Sequence, residues 1–155
     1  MEKIYIQKAL KLQLRPSFSR HDFIIGRSNL EAIKWIDKYP QWKDGGLIII
    51  GPKSSGKSHL ASVFKFKSSC AIQQAHDVNK EKINLLDMTN IAIENIDKIT
   101  NFKFFLNIIN LAKEKKKKIL LTSRLSLNQL NIDLLDLNSR LLTFPQANIL
   151  LPTDD

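Results

Sequence analysis

The residues most able to do chemistry stand together at Gly51, Pro52, Lys53, Ser54, Ser55, Gly56, Lys57, Ser58 and His59. A glycine, four residues of any type, then Gly-Lys-Ser is the spacing that grips a polyphosphate. Glycines let the main chain curl until successive N–H groups point inward, and a helix that follows turns its positive end to the same anion. Lys57 is then in reach of the β- and γ-phosphates, and the Ser58 hydroxyl is placed to ligate Mg²⁺. The flanks agree, because the apolar run "LIII" leads in and "SHLASVF" leads out, which reads as strand, loop and helix. The expected ligands are ATP or ADP with Mg²⁺.

Such a loop needs a second strand to complete the magnesium site, an apolar run ending in adjacent acids. The candidate is "NIAIENID". Glu94 follows the apolar run and would hold the magnesium shell, but Asn95 comes next, and a neutral amide cannot take a proton. In the other register Glu94 is the base and Ile93 stands where the metal's acid belongs. Asp97, if the strand continues, points the same way as Asn95 rather than Glu94. One acid of the pair is missing in either case, so the site is expected to bind well and hydrolyse slowly.

The elements that must position these groups follow from periodicity. "LKLQL" alternates as a strand or extended arm that Pro16 closes, and "RSNLEAIKWIDKYP" reads as a helix capped by Asn29 or Ser28 and stopped before Pro40. "CAIQQA" and "TNIAIENID" read as strands, "DVNKEKINLL" as a helix, and "NFKFFLNIINLAKEKKKK" as a helix ending near Lys117. "KILLTSR" and "ANILLP" supply the remaining strands. Strands alternating with helices predict an α/β fold, a central parallel sheet between helical layers.

Bulk properties set the limits. With 155 residues the chain is the size of one domain, read here as an extended arm over 1–20 and a nucleotide-binding domain over 21–155. The net charge of +9 favours polyanionic partners, so nucleic acid is possible but indirect. One cysteine, Cys70, excludes an internal disulfide framework and is read as a small buried apolar residue. The lysine-interrupted N-terminus is no signal peptide and no stretch is long and apolar enough for a membrane, so a cytoplasmic protein is expected.

On these residues the chain resembles the DnaA-related AAA+ proteins, most closely the short Hda-type regulators of replication initiation in the form found in α-proteobacteria. The resemblance begins at "HDFIIGRSNLEAIKWI", continues through "LIIIGPKSSGKSHLA" and "IAIENIDK", and ends on "ILLTSR" and "LNSRLLTFPQANILLP". It implies an AAA+-type P-loop NTPase sandwich, with Phe23, Ile24 and Ile25 beside the adenine and Thr122 or Ser123 near the γ-phosphate as sensor-1. Arg140 falls where the family carries an arginine finger, which meets the γ-phosphate of a neighbouring subunit. "QKALKL" is similar to the family's sliding-clamp-binding peptide at Gln7, Leu10 and Leu12, with Lys8 replacing its first leucine. The chain stops at "LPTDD", where relatives continue into a small helical lid, so it is expected to be either a truncated product or a minimal form that closes its site with a partner.

The resemblance thus implies a regulator that binds an adenine nucleotide, docks on the sliding clamp and promotes hydrolysis of DnaA-bound ATP, with self-association possible. Two alternatives stand beside it. A small-molecule kinase usually carries the loop on its first strand, whereas about fifty residues precede it here. A DnaA-like or helicase-loader ATPase working on DNA would account for the charge, but the sequence displays no recognition helix.

Overall fold

The computed structural model describes residues 26–78 and 89–151. The Gln7–Leu12 peptide, the Phe23–Ile25 segment, most of "DVNKEKINLL" and the last four residues lie outside that set. The described elements are α1 (Leu30–Asp37), β1 (Gly46–Ile50), α2 (Lys57–Ser68), β2 (Ala71–Gln74), β3 (Ile91–Glu94), α3 (Phe102–Glu114), β4 (Ile119–Ser123), α4 (Leu135–Thr143) and β5 (Gln146–Asn148). Five strands form one sheet in the order β2-β3-β4-β1-β5, and every pairing is parallel. Among the described residues no helix is long and apolar enough to cross a membrane.

β1 is buried at all five positions because both faces of the sheet are covered. Its side chains alternate between two cores: Leu47 and Ile49 meet Ile33, Ile36, Leu60 and Phe64 from α1 and α2, while Ile48 and Ile50 meet Phe105, Ile108, Leu137 and Leu141 from α3 and α4. Each fully buried Ile, Leu or Phe contributes about 1.5–3 kcal/mol. On α3 the buried residues Phe105, Ile108, Ile109 and Ala112 keep the spacing of one helical face. Phe64 stacks on Trp42 at 5.1 Å and meets Tyr39 edge-on at 5.4 Å, which ties α2 to the connection between α1 and β1.

Helix ends depart from expectation in two places. Asn29 is the N-cap of α1, yet its Oδ1 accepts from Gly26 N behind it rather than from the helix. α3 ends at Glu114 rather than near Lys117: Lys116 turns left-handed at φ 57°, Lys117 N donates to Ala112 O and Lys116 N to Lys113 O. That pair of bonds closes the helix end, so the lysine run becomes the cap instead of a further turn.

Candidate functional site

The site forms where β1 leaves the sheet between β4 and β5, at the carboxyl ends of the strands. In open parallel sheets a crevice opens where neighbouring connections depart in opposite directions. Gly51 N donates to Ser123 O at 3.0 Å and Ile149 N to Ile50 O at 2.7 Å, so the peptide joining Ile50 to Gly51 is held on both sides. A Cβ on Gly51 would stand 2.7 Å from Ser55 Oγ and 3.0 Å from Ile149 Cβ, a space only glycine fits. Gly56, at φ 102°, adopts the left-handed turn that delivers the chain into the twelve-residue α2.

Lys57 opens that helix and is 7% exposed. Its Nζ donates to Gly51 O at 2.6 Å and to Pro52 O at 2.7 Å, lying across the mouth of the loop. Burial pulls its pKa below the ordinary lysine value, and the positive charge of Arg124 adds to that; Asp97 and Glu94 act in the opposite sense. Lys53, Ser54 and Ser58 are exposed, while Pro52, Ser55, Gly56 and His59 are half-buried.

Glu94 ends β3 and is 6% exposed. Its Oε2 accepts from Gln74 Nε2 at 3.0 Å, and Gln74 Oε1 accepts from Asn95 Nδ2 at 2.8 Å. One amide of β2 therefore holds both the acid and the neutral residue beside it. Gln74 reaches them because the register pairs it with Glu94 across β2 and β3. No signal within the sequence marks Gln74, since that pairing joins residues twenty positions apart.

Asp97 requires a correction. The strand ends at Glu94, Asn95 is left-handed at φ 61°, and Ile96–Lys98 form a 3₁₀ turn. The alternation that would aim Asp97 with Asn95 therefore stops, and Asp97 Oδ1 instead accepts from Arg124 N at 3.1 Å. Thr122 and Ser123, the expected sensor-1 residues, end β4 beside the loop and are both buried. Thr122 Oγ1 accepts from Asn95 N at 3.0 Å, and Ser123 Oγ donates to Leu125 O at 2.6 Å.

Arg140 is not brought to this site. It is exposed near the end of α4 and lines a depression with Lys113, Lys117, Asp44 and Phe144, beside Gly45 and Ile119 at the amino ends of β1 and β4. That is the opposite end of the sheet from Gly51.

The donor set fits a polyphosphate with Mg²⁺. Ser55 Oγ and Glu94 Oε1 are buried with no hydrogen-bond partner among the described residues, and the loop that carries Ser55 leads into the N-terminus of α2 with the buried Lys57. Among the described residues no group of three or more His, Cys, Asp or Glu could hold a metal, so Mg²⁺ would rest on the Ser58 hydroxyl, Glu94 and the phosphates themselves.

No family profile matches the chain, and no curated protein matches it. Solved structures do. AMPPCP-bound DnaA from Aquifex aeolicus is 19% identical with a TM-score of 0.71, covering 88% of this chain and 51% of that one. Domain III of Thermotoga maritima DnaA is 15% identical with a TM-score of 0.73, over 90% and 70%. A structure of DnaI is 14% identical with a TM-score of 0.68, over 94% and 93%. The chain spans about half the length of the first solved structures it matches, 48% and 51%. At these identities it is the fold that is shared: a five-stranded parallel α/β sandwich like that of the DnaA and DnaI structures.

Proposed function

We propose that this chain is an adenine-nucleotide-binding regulator of replication initiation, one that uses its nucleotide as a conformational ligand more than as fuel. The observation that carries this reading is the pair at the end of β3: a buried carboxylate with one free oxygen, followed by an amide tied to Gln74. The chain's own groups then divide the work. Main-chain amides after Gly51 and the start of α2 would bind the phosphates, Lys57 would neutralise them, and Ser58 and Glu94 would hold Mg²⁺, which would supply further positive charge there. The residue after Glu94 is the amide Asn95 rather than a second acid to orient water, so bound nucleotide would persist in the site. Phe23, Ile24 and Ile25 would face the adenine.

The partner side of the proposal is that Gln7, Leu10 and Leu12 dock on the sliding clamp while Arg140 meets ATP held by DnaA. An exposed arginine with Lys113 and Lys117 beside it, at the end of the sheet away from its own phosphate loop, supports action on a neighbour's nucleotide. Two assays test it. Immobilised clamp should capture the chain and lose it with Gln7→Ala, and the chain should accelerate ATP hydrolysis by DnaA at least tenfold, an effect that Arg140→Ala removes. Failure of the unmodified chain in both assays refutes the regulatory reading.

A second reading, an ATPase working on DNA, draws support from the +9 charge and from a DnaA neighbour solved with AMPPCP and single-stranded DNA, 19% identical over 90% of this chain. Submicromolar DNA binding that weakens steeply with salt would favour it.

A further inference from the structure

In a parallel sheet every strand is entered from the same end, so the segments that feed neighbouring strands stand side by side. β4, β1 and β5 are neighbours in that order, and strands about 4.8 Å apart bring their three entering segments within about 10 Å of one another. Each segment carries cations. Lys43 lies on the 3₁₀ turn Lys43–Gly45 that enters β1, and Arg140 stands in the last turn of α4 before β5. Lys113 stands in the last turn of α3, and Lys116, Lys117 and Lys118 lead from it into β4. Lys113, Lys117 and Arg140 line one depression with Asp44 and Gly45, and Lys118 Cδ comes within 4.0 Å of a Cβ built on that glycine.

Helix C-termini favour cations, yet the bonds that close α3 come from the main-chain N–H groups of Lys116 and Lys117, so the cap does not use their ammonium groups. Two acids, Asp44 and Glu114, stand on the same segments, and no salt bridge joins these acids or the six cations to a described residue. Like charges gathered this closely repel, a cost that a bound polyanion removes. The chemistry of the surface selects among polyanions. A protein partner would call for apolar anchors and a single strand for aromatic faces on which bases stack, but Ile109, Ala112, Ile119 and Phe144, the apolar residues of the depression, are all buried. Ammonium and guanidinium groups alone suit a duplex backbone, gripped without reading its sequence.

We propose that the amino end of the sheet, where Lys43, Lys113, Lys116, Lys117, Lys118 and Arg140 converge, is a docking surface for the phosphate backbone of duplex nucleic acid, with no preference for base sequence. It lies at the other end of the sheet from Gly51 and works without nucleotide, so it goes beyond the regulator reading and is tested apart from it.

Fluorescence anisotropy of a labelled duplex of about 20 base pairs, without nucleotide and between about 50 and 200 mM salt, measures the interaction. Six cations set against two acids should neutralise about four phosphates, so log Kobs falls with log salt at a slope of about −3.6, about a hundredfold across that range. Two unrelated duplex sequences should agree within about twofold, and a single strand of equal length should bind more weakly. The triple variant Lys43→Gln, Lys116→Asn, Lys118→Gln spares the left-handed turn at Lys116, since asparagine tolerates it. It should flatten the slope by about 2.7 and weaken binding at about 50 mM salt at least tenfold. It should also melt no lower than wild type at that salt, because it removes repulsion. A matched triple at the phosphate-loop end, Lys53→Gln, Lys98→Gln, Lys103→Gln, has the same net charge and should keep affinity within about threefold. Arg140 stays in every variant, so the assays on DnaA are read independently. No binding by wild type at about 50 mM salt, equal losses in the two triples, or tighter binding of the single strand or of polyglutamate than of the duplex overturns the proposal.

Discussion

Replacing Lys57 with alanine should separate the grip on nucleotide from the stability of the fold. Lys57 is 7% exposed, and its Nζ donates to two loop carbonyls at 2.6 and 2.7 Å. Losing two charge-assisted hydrogen bonds costs about 1.5–3 kcal/mol each. The same substitution removes a cation whose burial disfavours its charge, and dehydrating such an ion costs several kcal/mol. These effects oppose each other, so the nucleotide-free variant should lie within about 2 kcal/mol of wild type, a melting shift of a few degrees at about 2–4 °C per kcal/mol.

Binding has no such offset, and affinity should fall about a hundredfold. At a Mg-ATP concentration of about one hundred times Kd, wild type gains about 2.7 kcal/mol, or about 5–11 °C in Tm. The variant at the same concentration sits near its own Kd and gains about 0.4 kcal/mol, or about 1 °C. Thermal melts with and without Mg-ATP read both quantities. A variant that keeps more than half of the wild-type shift would falsify the role given to Lys57.

Four further outcomes are expected. Glu94→Gln should leave ADP affinity within a few-fold and lower an already slow turnover, itself well under about 10 per second, by at least about tenfold in steady-state assays. Gly51→Ala, whose new Cβ would crowd Ser55 Oγ at 2.7 Å and Ile149 Cβ at 3.0 Å, should lose about 1–3 kcal/mol in urea melts. Cys70 is buried, and that burial pushes its thiol pKa up, so a thiol reagent should modify it only as the chain unfolds, at a rate that rises with urea. Because the pKa of Lys57 is lowered, the unfolded chain binds more protons than the folded one between that value and the ordinary lysine value. Over that window, nucleotide-free stability should rise with pH while affinity for ATP, which needs the charge, declines; melts and titrations against pH measure the two trends.

Some of this architecture was legible because its causes are local. The phosphate loop declares itself within eight residues, since a glycine that admits close packing, a glycine at φ 102° and a lysine opening a helix are all set by neighbours in the chain. The face of α3 and the wholly apolar β1 follow from periodicity and burial in the same way. Local rules also misjudged two ends. The lysine run had no partner in sequence to stop it, yet it closes α3 by turning left-handed at Lys116, and Asn95 does likewise to end β3 before Asp97.

By itself the sequence determined that a Gly-x-x-x-x-Gly-Lys-Ser pattern follows β1 and that an amide stands where a second acid would follow Glu94, because both depend on which residues are adjacent. Only the tertiary structure decided that Gln74 holds Glu94, that Asp97 accepts from Arg124 N, and that Arg140 stands at the other end of the sheet. The order β2-β3-β4-β1-β5 brings together loops that lie tens of residues apart. Parallel pairing across crossover helices sets those distances, and no window along the chain contains them.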